Sequence, residues 1–438
     1  MNIYITFELK QRELLSKLFL ALEAASRGNE VFLGRINTYL ERGFFKPGLI
    51  HFKSITPGES RIRQLENYKK KGFKTTSLDE ENGFIDYENS YKNFRFSNKT
   101  FSLIDKVFTW GPYDFANLLS EYPSFKSKIV KSGNPRIDFW RKDFKKFYHK
   151  IDYIKYENYI FFSTNFDYVC SYRTIKNEIK FHRDSGYFKR GLKPEEIIRW
   201  ATNSKILFED YKKSIIKISK KFKDRTIVIR PHPVDNPEKW KSHFKNINNI
   251  VISSEGFISD WIDKAKVVIH AGCTGGLESS VRNKTTISYY PKKIRHGHPF
   301  ADYFSKKIFN EKKLLKEIEN IYSDSIEKIK NENKISQFLN ERSYNFFGEP
   351  SYKKIVSTWQ KILKKTNYES NNLFFLKISF RIRDIRLKLL GKKIGDHKFD
   401  YFNKKEVSEI ISRLKKIDKK FSKIKIEYIK SDIIRVYK

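Results

Sequence analysis

Two stretches of this 438-residue chain combine residue types that can hold an anion: Arg230-Pro231-His232-Pro233, and His270-Ala271-Gly272-Cys273-Thr274-Gly275-Gly276-Leu277-Glu278. In the first, Pro231 and Pro233 fix the backbone on both sides of His232 and so limit where its imidazole points, while Arg230 offers a planar fork of donors suited to phosphate. In the second, small residues let the backbone approach a phosphate, and the free amides at a helix start favour negative charge. Thr274 is the natural cap there. Glu278, one turn later, can reach back to the loop amides or out to a ligand hydroxyl. The plainer alternatives are a rigid turn around His232 and a simple capped helix after a strand.

Acid/base chemistry is suggested by Asp79-Glu80-Glu81-Asn82-Gly83. Three adjacent carboxylates repel one another, so at least one is expected to keep its proton or titrate high, unless Asn82-Gly83 makes the whole cluster a surface turn. Gly133-Asn134-Pro135-Arg136 is a tight turn that can present Arg136. Glu8 and Lys53 are candidates by their position at strand ends, as are Thr164 and Asn165. The two cysteines, Cys170 and Cys273, have no metal-ligand spacing, and no DxD-type carboxylate pair stands out in the second half, so neither a metal nor a disulfide is expected.

The elements that must position these residues alternate. Ile3 to Phe7, Val31 to Gly34, Leu49 to Phe52, Phe73 to Leu78, Leu103 to Trp110 and Lys128 to Lys131 read as strands. Helical patterns over Arg12 to Arg27, Ile62 to Lys71 and Tyr113 to Glu121 intervene. After a charge-rich stretch, Lys142 to Lys155, the alternation restarts. Strands at Tyr159 to Asn165, Thr226 to Arg230, Asn249 to Ile252, Val267 to His270 and Thr285 to Tyr289 are separated by helices at Ile197 to Lys220, Ile258 to Ala265 and Gly275 to Arg282. The pattern predicts an α/β protein with two doubly wound parallel sheets, residues 1–150 and 151–350, whose ligands sit at the carboxyl ends of the strands. Residues 351–438 read as a basic helical tail.

An apolar content of 39% and an aromatic content of 16% exclude global disorder. The net charge of +38 suggests nucleic acid or an anionic membrane, but Lys is abundant everywhere, which equally fits a compositional bias. No groove-reading nucleic-acid module is recognisable, so no nucleic-acid partner is expected. There is no signal-peptide pattern and no run of about 18 apolar residues, so a cytoplasmic protein is expected. From Leu373 onward, Phe374, Phe375, Leu376, Ile378, Ile382, Ile385, Leu387 and Leu389 interleave with Lys377, Arg381, Arg383, Arg386 and Lys388. Such a helix either lies on anionic lipid, peripherally on the inner face of the cytoplasmic membrane, or packs its apolar face on the N-terminal domain.

In their order, an acidic motif at Asp79 to Gly83, then His232-Pro233, then Gly272-Cys273-Thr274, these residues resemble bacterial surface-carbohydrate biosynthesis proteins of the GT-B type, related to transferases that use CMP-activated sialic acid or Kdo. Ser132 to Asp138, Glu8 with Arg12-Glu13-Leu14, and Ser163-Thr164-Asn165-Phe166 resemble the same group, over roughly residues 1 to 350. Two departures are Asn82 between the carboxylates and Gly83, and Cys273-Thr274 where the sialic acid transferases carry serines. The resemblance implies two Rossmann-like domains facing a cleft and transfer of a CMP-linked acidic sugar onto a glycan or lipid-linked glycan acceptor of lipopolysaccharide or capsule, with no cofactor beyond the donor. It further implies that Asp79, Glu80 or Glu81 and His232 are catalytic. Arg230, His232, Pro233, His270, Gly272, Cys273, Thr274, Gly275, Gly276, Glu278, Asn134, Arg136, Thr164 and Asn165 would hold the donor, with Glu8, Glu13 and Lys53 on the acceptor side. Rival readings are a non-hydrolysing UDP-sugar 2-epimerase, a CDP-glycerol-type polymer transferase, and a basic nucleic-acid-binding protein.

Overall fold

Strand and helix alternate into two separate parallel sheets, seen in a computed structural model that describes residues 1–81, 94–148, 153–292, 294, 296–297, 299–323, 332–364, 369–391 and 401–438. Asn82 and Gly83, the turn expected after the acids, lie outside the described residues. One unit comprises Met1–His149 with Leu339–Lys438, and the other Lys150–Phe338.

In the first unit β1 (Asn2–Thr6), β2 (Glu30–Gly34), β3 (Leu49–Phe52), β4 (Lys74–Leu78), β5 (Lys106–Thr109) and β6 (Ile129–Lys131) run parallel in the order β2-β1-β3-β4-β5-β6. Helices cover both faces of such a sheet, which is why every residue of β1 and β3 is buried. The strand expected from Leu103 begins only at Lys106. Ser97 and Thr100 form a reciprocal capping box that commits Asn98–Leu103 to a helix instead.

The order of the second unit is β12-β11-β10-β7-β8-β9, with β7 (Tyr159–Ser163), β8 (Ile227–Arg230), β9 (Ile250–Ile252), β10 (Ala265–His270), β11 (Thr285–Tyr289) and β12 (Lys306–Ile308), again all parallel. Counted along the chain this is the 3-2-1-4-5-6 order of dinucleotide-binding sheets, so the winding reverses between β7 and β10. Thr285–Tyr289 was expected to be the last strand. Lys306–Ile308 extends the sheet, but its first two residues are exposed lysines and it shows no apolar run to read.

The last residues differ most from the expected helical tail. Three helices, Ser351–Leu363, Leu373–Leu389 and Lys404–Ile417, are followed by a hairpin, β13 (Lys425–Lys430) and β14 (Ile433–Tyr437). β14 pairs antiparallel with β2, Ile434 opposite Leu33 and Val436 opposite Val31, so the chain's end caps an edge of the first sheet. Helix Ser351–Leu363 packs on helix Lys10–Ser26, with the Tyr352 ring 3.9 Å from that of Phe19, and Trp359 donates to Thr76 Oγ1 at 3.1 Å. The return into this unit is pinned at Asp138, which accepts from Asn345 Nδ2 at 2.6 Å, the Ser351 amide at 3.0 Å and the Ser351 hydroxyl at 2.9 Å.

Candidate functional site

In the second unit the carboxyl ends of β7, β8, β10 and β11 bring together most of the residues singled out in sequence. Immediately after β10 the chain passes through Gly272, held at φ +68°, into helix Thr274–Val281. Cys273, not Thr274, occupies the N-cap position, and the first turn lacks the capping hydroxyl that was expected. Burial pushes the Cys273 thiol up, and Ser163 at the end of β7 donates to its sulfur at 3.2 Å.

The two glycines that follow are small for a different reason than a phosphate cradle. A Cβ on Gly276 would lie 2.3 Å from His270 Nε2, and one on Gly275 would lie 2.4 Å from Ser163 Oγ. They let the helix close onto the sheet. His270 is consequently fully buried. Its Nε2 pairs with Ser305 Oγ at 2.9 Å, and burial depresses its pKa to about 3, so it packs as a neutral imidazole. Glu278 does not cap the loop; it accepts from Ser259 Oγ and lies 3.6 Å from Arg282 Nε.

Arg230 likewise has a bracing task. Its terminal nitrogens donate to the carbonyls of Glu255 at 2.7 Å and Gly256 at 2.6 Å, tying the loop after β9 to the end of β8, and burial lowers its pKa to about 10. The Arg230 carbonyl accepts from Thr164 Oγ1 at 3.0 Å, fixing β7 to β8. His232 and Pro233 sit half-buried in a turn closed by Asp235, which accepts from the His232 amide at 3.2 Å and from Trp240 Nε1 at 2.9 Å. The HP segment is therefore rigid, as its prolines imply.

The segment after β11 completes this edge. His296 stacks on Phe166 and pairs through Nε2 with Asn165 Oδ1 at 3.2 Å. Gly297, at φ +65°, approaches Gly272 so closely that a Cβ would meet the Gly272 carbonyl at 2.4 Å. Asp302 accepts from Ser288 Oγ at 2.6 Å and from Tyr290 at 3.0 Å, and its carboxyl is raised by burial.

In the first unit, the ends of β1, β3, β4 and the turn after β6 assemble a charged group. Glu8 pairs with Lys53 at 2.6 Å. Glu13 is buried and accepts the Glu8 and Leu9 amides at 3.1 Å each as well as Lys17 Nζ; burial opposes its ionisation, but Lys17, Lys53 and Arg12 hold it low. The three adjacent acids separate by direction. Asp79 accepts from Arg95 Nε at 2.9 Å, and Glu81 pairs with Arg12 at 2.7 Å and Arg95 at 3.2 Å. Desolvation pulls Glu81 upward, yet the two guanidinium groups keep it well below the usual carboxylate range. Glu80 differs from both. It is buried, its Oε2 has no hydrogen-bond partner among the described residues, and burial raises its pKa, only partly offset by Lys17 and Arg136. Arg136 Nη1 donates to the Glu80 carbonyl at 3.2 Å. Asn134, expected with the donor group, is fully buried in this unit, where it caps the short helix Pro135–Asp138 by accepting the Arg136 amide at 2.8 Å. Among the described residues, no group of three His, Cys, Asp or Glu side chains is placed to hold a metal ion.

No protein-family model and no curated protein sequence matches the chain. Solved structures do match in shape. The wall teichoic acid polymerase TagF, soaked with CDPG, is 12% identical with a TM-score of 0.52 over 83% of this chain and 89% of that one. The fold is GT-B-like. The MnaA–UDP structure from S. aureus is 12% identical with a TM-score of 0.48, covering 85% of this chain and 99% of that one. UDP-GlcNAc 2-epimerase from Neisseria meningitidis, bound to UDP-GlcNAc, is 13% identical with a TM-score of 0.45, covering 83% and 100%.

Within this GT-B-like frame, several site residues were not legible in sequence. Tyr290, His296, Gly297 and Asp302 follow β11, and the one available signal was their place after a fifth buried strand. Arg95 and Lys17, which set the charges of the acids, carry weaker signals still. Lys17 stands four residues after Glu13 on a helix, the spacing of an ion pair.

Proposed function

We propose that the protein transfers a group from a cytidine-nucleotide donor onto a hydroxyl of a surface-glycan acceptor. The observation that carries this reading is the loop Gly272-Cys273-Thr274 and the uncapped start of helix Thr274–Val281, placed at the winding reversal between β7 and β10. The free amides at a helix start stabilise the charge that develops on a departing nucleotide phosphate. His232, held by the Asp235 turn, and Asn165, held by His296, flank the loop on neighbouring strand ends of the same sheet.

Within the first unit, Glu80 is the group we assign as a general base. A buried carboxylate with a raised pKa is a stronger base than its paired neighbours, and its Oε2 has no hydrogen-bond partner among the described residues. Transfer then forms the bond between the acceptor oxygen and the donor group and breaks the bond to the nucleotide phosphate, while the hydroxyl proton passes to a general base. The motif order favours a CMP-linked acidic sugar as donor. A second reading, a CDP-linked polyol, is favoured by the likeness to TagF, and it too would release CMP when the alcohol phosphate is transferred.

Thermal shift with CMP, CDP and UDP tests the reading. CMP or CDP should raise the melting temperature. Stabilisation by UDP alone would replace the proposal with a UDP-sugar enzyme, and conversion of UDP-N-acetylhexosamine without an acceptor would make it an epimerase. No stabilisation by any of the three would remove the nucleotide site.

A further inference from the structure

The helix Leu373–Leu389 has two apolar faces, and the first unit uses one. Leu376 and Phe380 are buried, the Phe380 ring lying 4.3 Å from that of Tyr39 and 5.9 Å from that of Phe45. Ion pairs from Lys377 to Glu427 at 2.6 Å and from Lys430 to Asp384 at 3.3 Å hold the helix to the terminal hairpin and fix its rotation. Asn372 caps the first turn by accepting the Phe374 and Phe375 amides.

Phe374, Phe375, Ile378, Ile382, Ile385 and Leu389 recur at three- and four-residue steps, and on a helix of about 3.6 residues per turn they form one stripe about 100° wide. That stripe faces away from the buried pair. Phe374 is 69% exposed, Phe375 64%, Ile382 61%, Ile385 59% and Leu389 82%. Five such side chains on one turn-by-turn row far exceed the scattered apolar residues of an ordinary surface. Arg381 and Lys388 flank the stripe on one side and Arg386 on the other, all exposed and with no ion pair to a described carboxylate. An apolar row bordered by unpaired cations complements a surface with a hydrocarbon interior and negative headgroups. Among the described residues no helix is long and apolar enough to cross a membrane, so this one would lie in the interface.

We infer that the outer stripe of helix Leu373–Leu389 docks the protein on a bilayer containing anionic phospholipid. The inference stands independently of the proposed transferase activity. Glycans built on lipid carriers would be brought within reach by such docking, but the surface itself needs only the bilayer.

Co-sedimentation of the full chain with vesicles of phosphatidylcholine alone, or mixed with phosphatidylglycerol, tests it. The protein should bind the mixed vesicles, and more weakly as salt is raised. The double variant Ile382→Glu/Ile385→Glu should bind at least about tenfold more weakly. Arg381→Glu/Arg386→Glu/Lys388→Glu should lose about fivefold per cation removed, on the order of a hundredfold together, on mixed vesicles only. Both variants change exposed side chains and should keep the wild-type circular dichroism spectrum and melting temperature. Failure of the wild type to bind mixed vesicles, or wild-type binding by both folded variants, would overturn the inference. So would a dimer in sedimentation velocity that Ile382→Glu/Ile385→Glu dissociates, because the stripe would then belong to a second copy.

Discussion

Glu80 carries the largest consequence of any single side chain in the proposed chemistry. Glu80→Gln should lower turnover by about 10²- to 10⁴-fold with donor affinity nearly unchanged, read from steady-state kinetics. A base works deprotonated, so the rate should climb as pH rises through the Glu80 pKa, which burial places above the ordinary glutamate range, and Glu80→Gln should lose that limb. Glu81→Gln should leave it in place, since Glu81 is ionised throughout by Arg12 and Arg95. An acid limb that survives in Glu80→Gln would assign the base elsewhere. The sequence shows three acids at a strand end but not which one differs. The turn after Leu78, in which the Glu81 amide donates to Asp79 Oδ1, separates the three, and of the two arginines that pair Glu81 one is 69 residues away. Gly276 was read as room for a phosphate and is room for His270. Gly276→Ala should therefore destabilise the second unit by about 1–3 kcal/mol in urea unfolding.

Two buried strands were legible to the residue. Leu49–Phe52 and Thr285–Tyr289 have the bounds that their patterns predict, being rich in the apolar, β-branched and aromatic residues that favour strands. The short edge strands Lys306–Ile308 and Lys425–Lys430 were missed, since half-exposed edges tolerate lysine and leave no periodic signal. The joint between Pro135–Asp138 and the returning chain was also invisible, being made by Asn345, which donates to Asp138 at 2.6 Å and to the Asn134 carbonyl at 3.0 Å from more than 200 positions away. Asn345→Ala would leave these buried acceptors short of a donor. It should cost about 1–3 kcal/mol, measured by chemical denaturation. An unchanged midpoint would mean that the return is held by helix packing alone.

On the scale of the whole molecule, both units hold a buried neutral histidine, His51 in the first and His270 in the second, each depressed by burial to about 3. The unfolded chain binds their protons near pH 6.5 and the native chain does not, so stability is intact above that pH and falls as pH drops towards 3. Asp138, raised by burial to about 6, acts in the opposite sense in the first unit: its native carboxyl takes up a proton before the unfolded one does, which favours the fold as pH falls from 6 towards 4. Urea midpoints should therefore decline on acidification more for the second unit than for the first, and equal declines would show that these groups do not dominate. The net charge of +38 says little about the fold, as the sequence suggested, but its local arrangement on Leu373–Leu389 could be judged only once the helix's buried face was known. Two parallel sheets were implied by alternation and the GT-B type by the family resemblance, whereas the capping of the first sheet's edge by the chain's last residues was not. The most direct test of the central claim is a crystal structure with CMP bound. The account predicts its phosphate against the amides of Cys273, Thr274 and Gly275, at the end of β10; a phosphate seated elsewhere, or a site that takes UDP and refuses CMP, would contradict it.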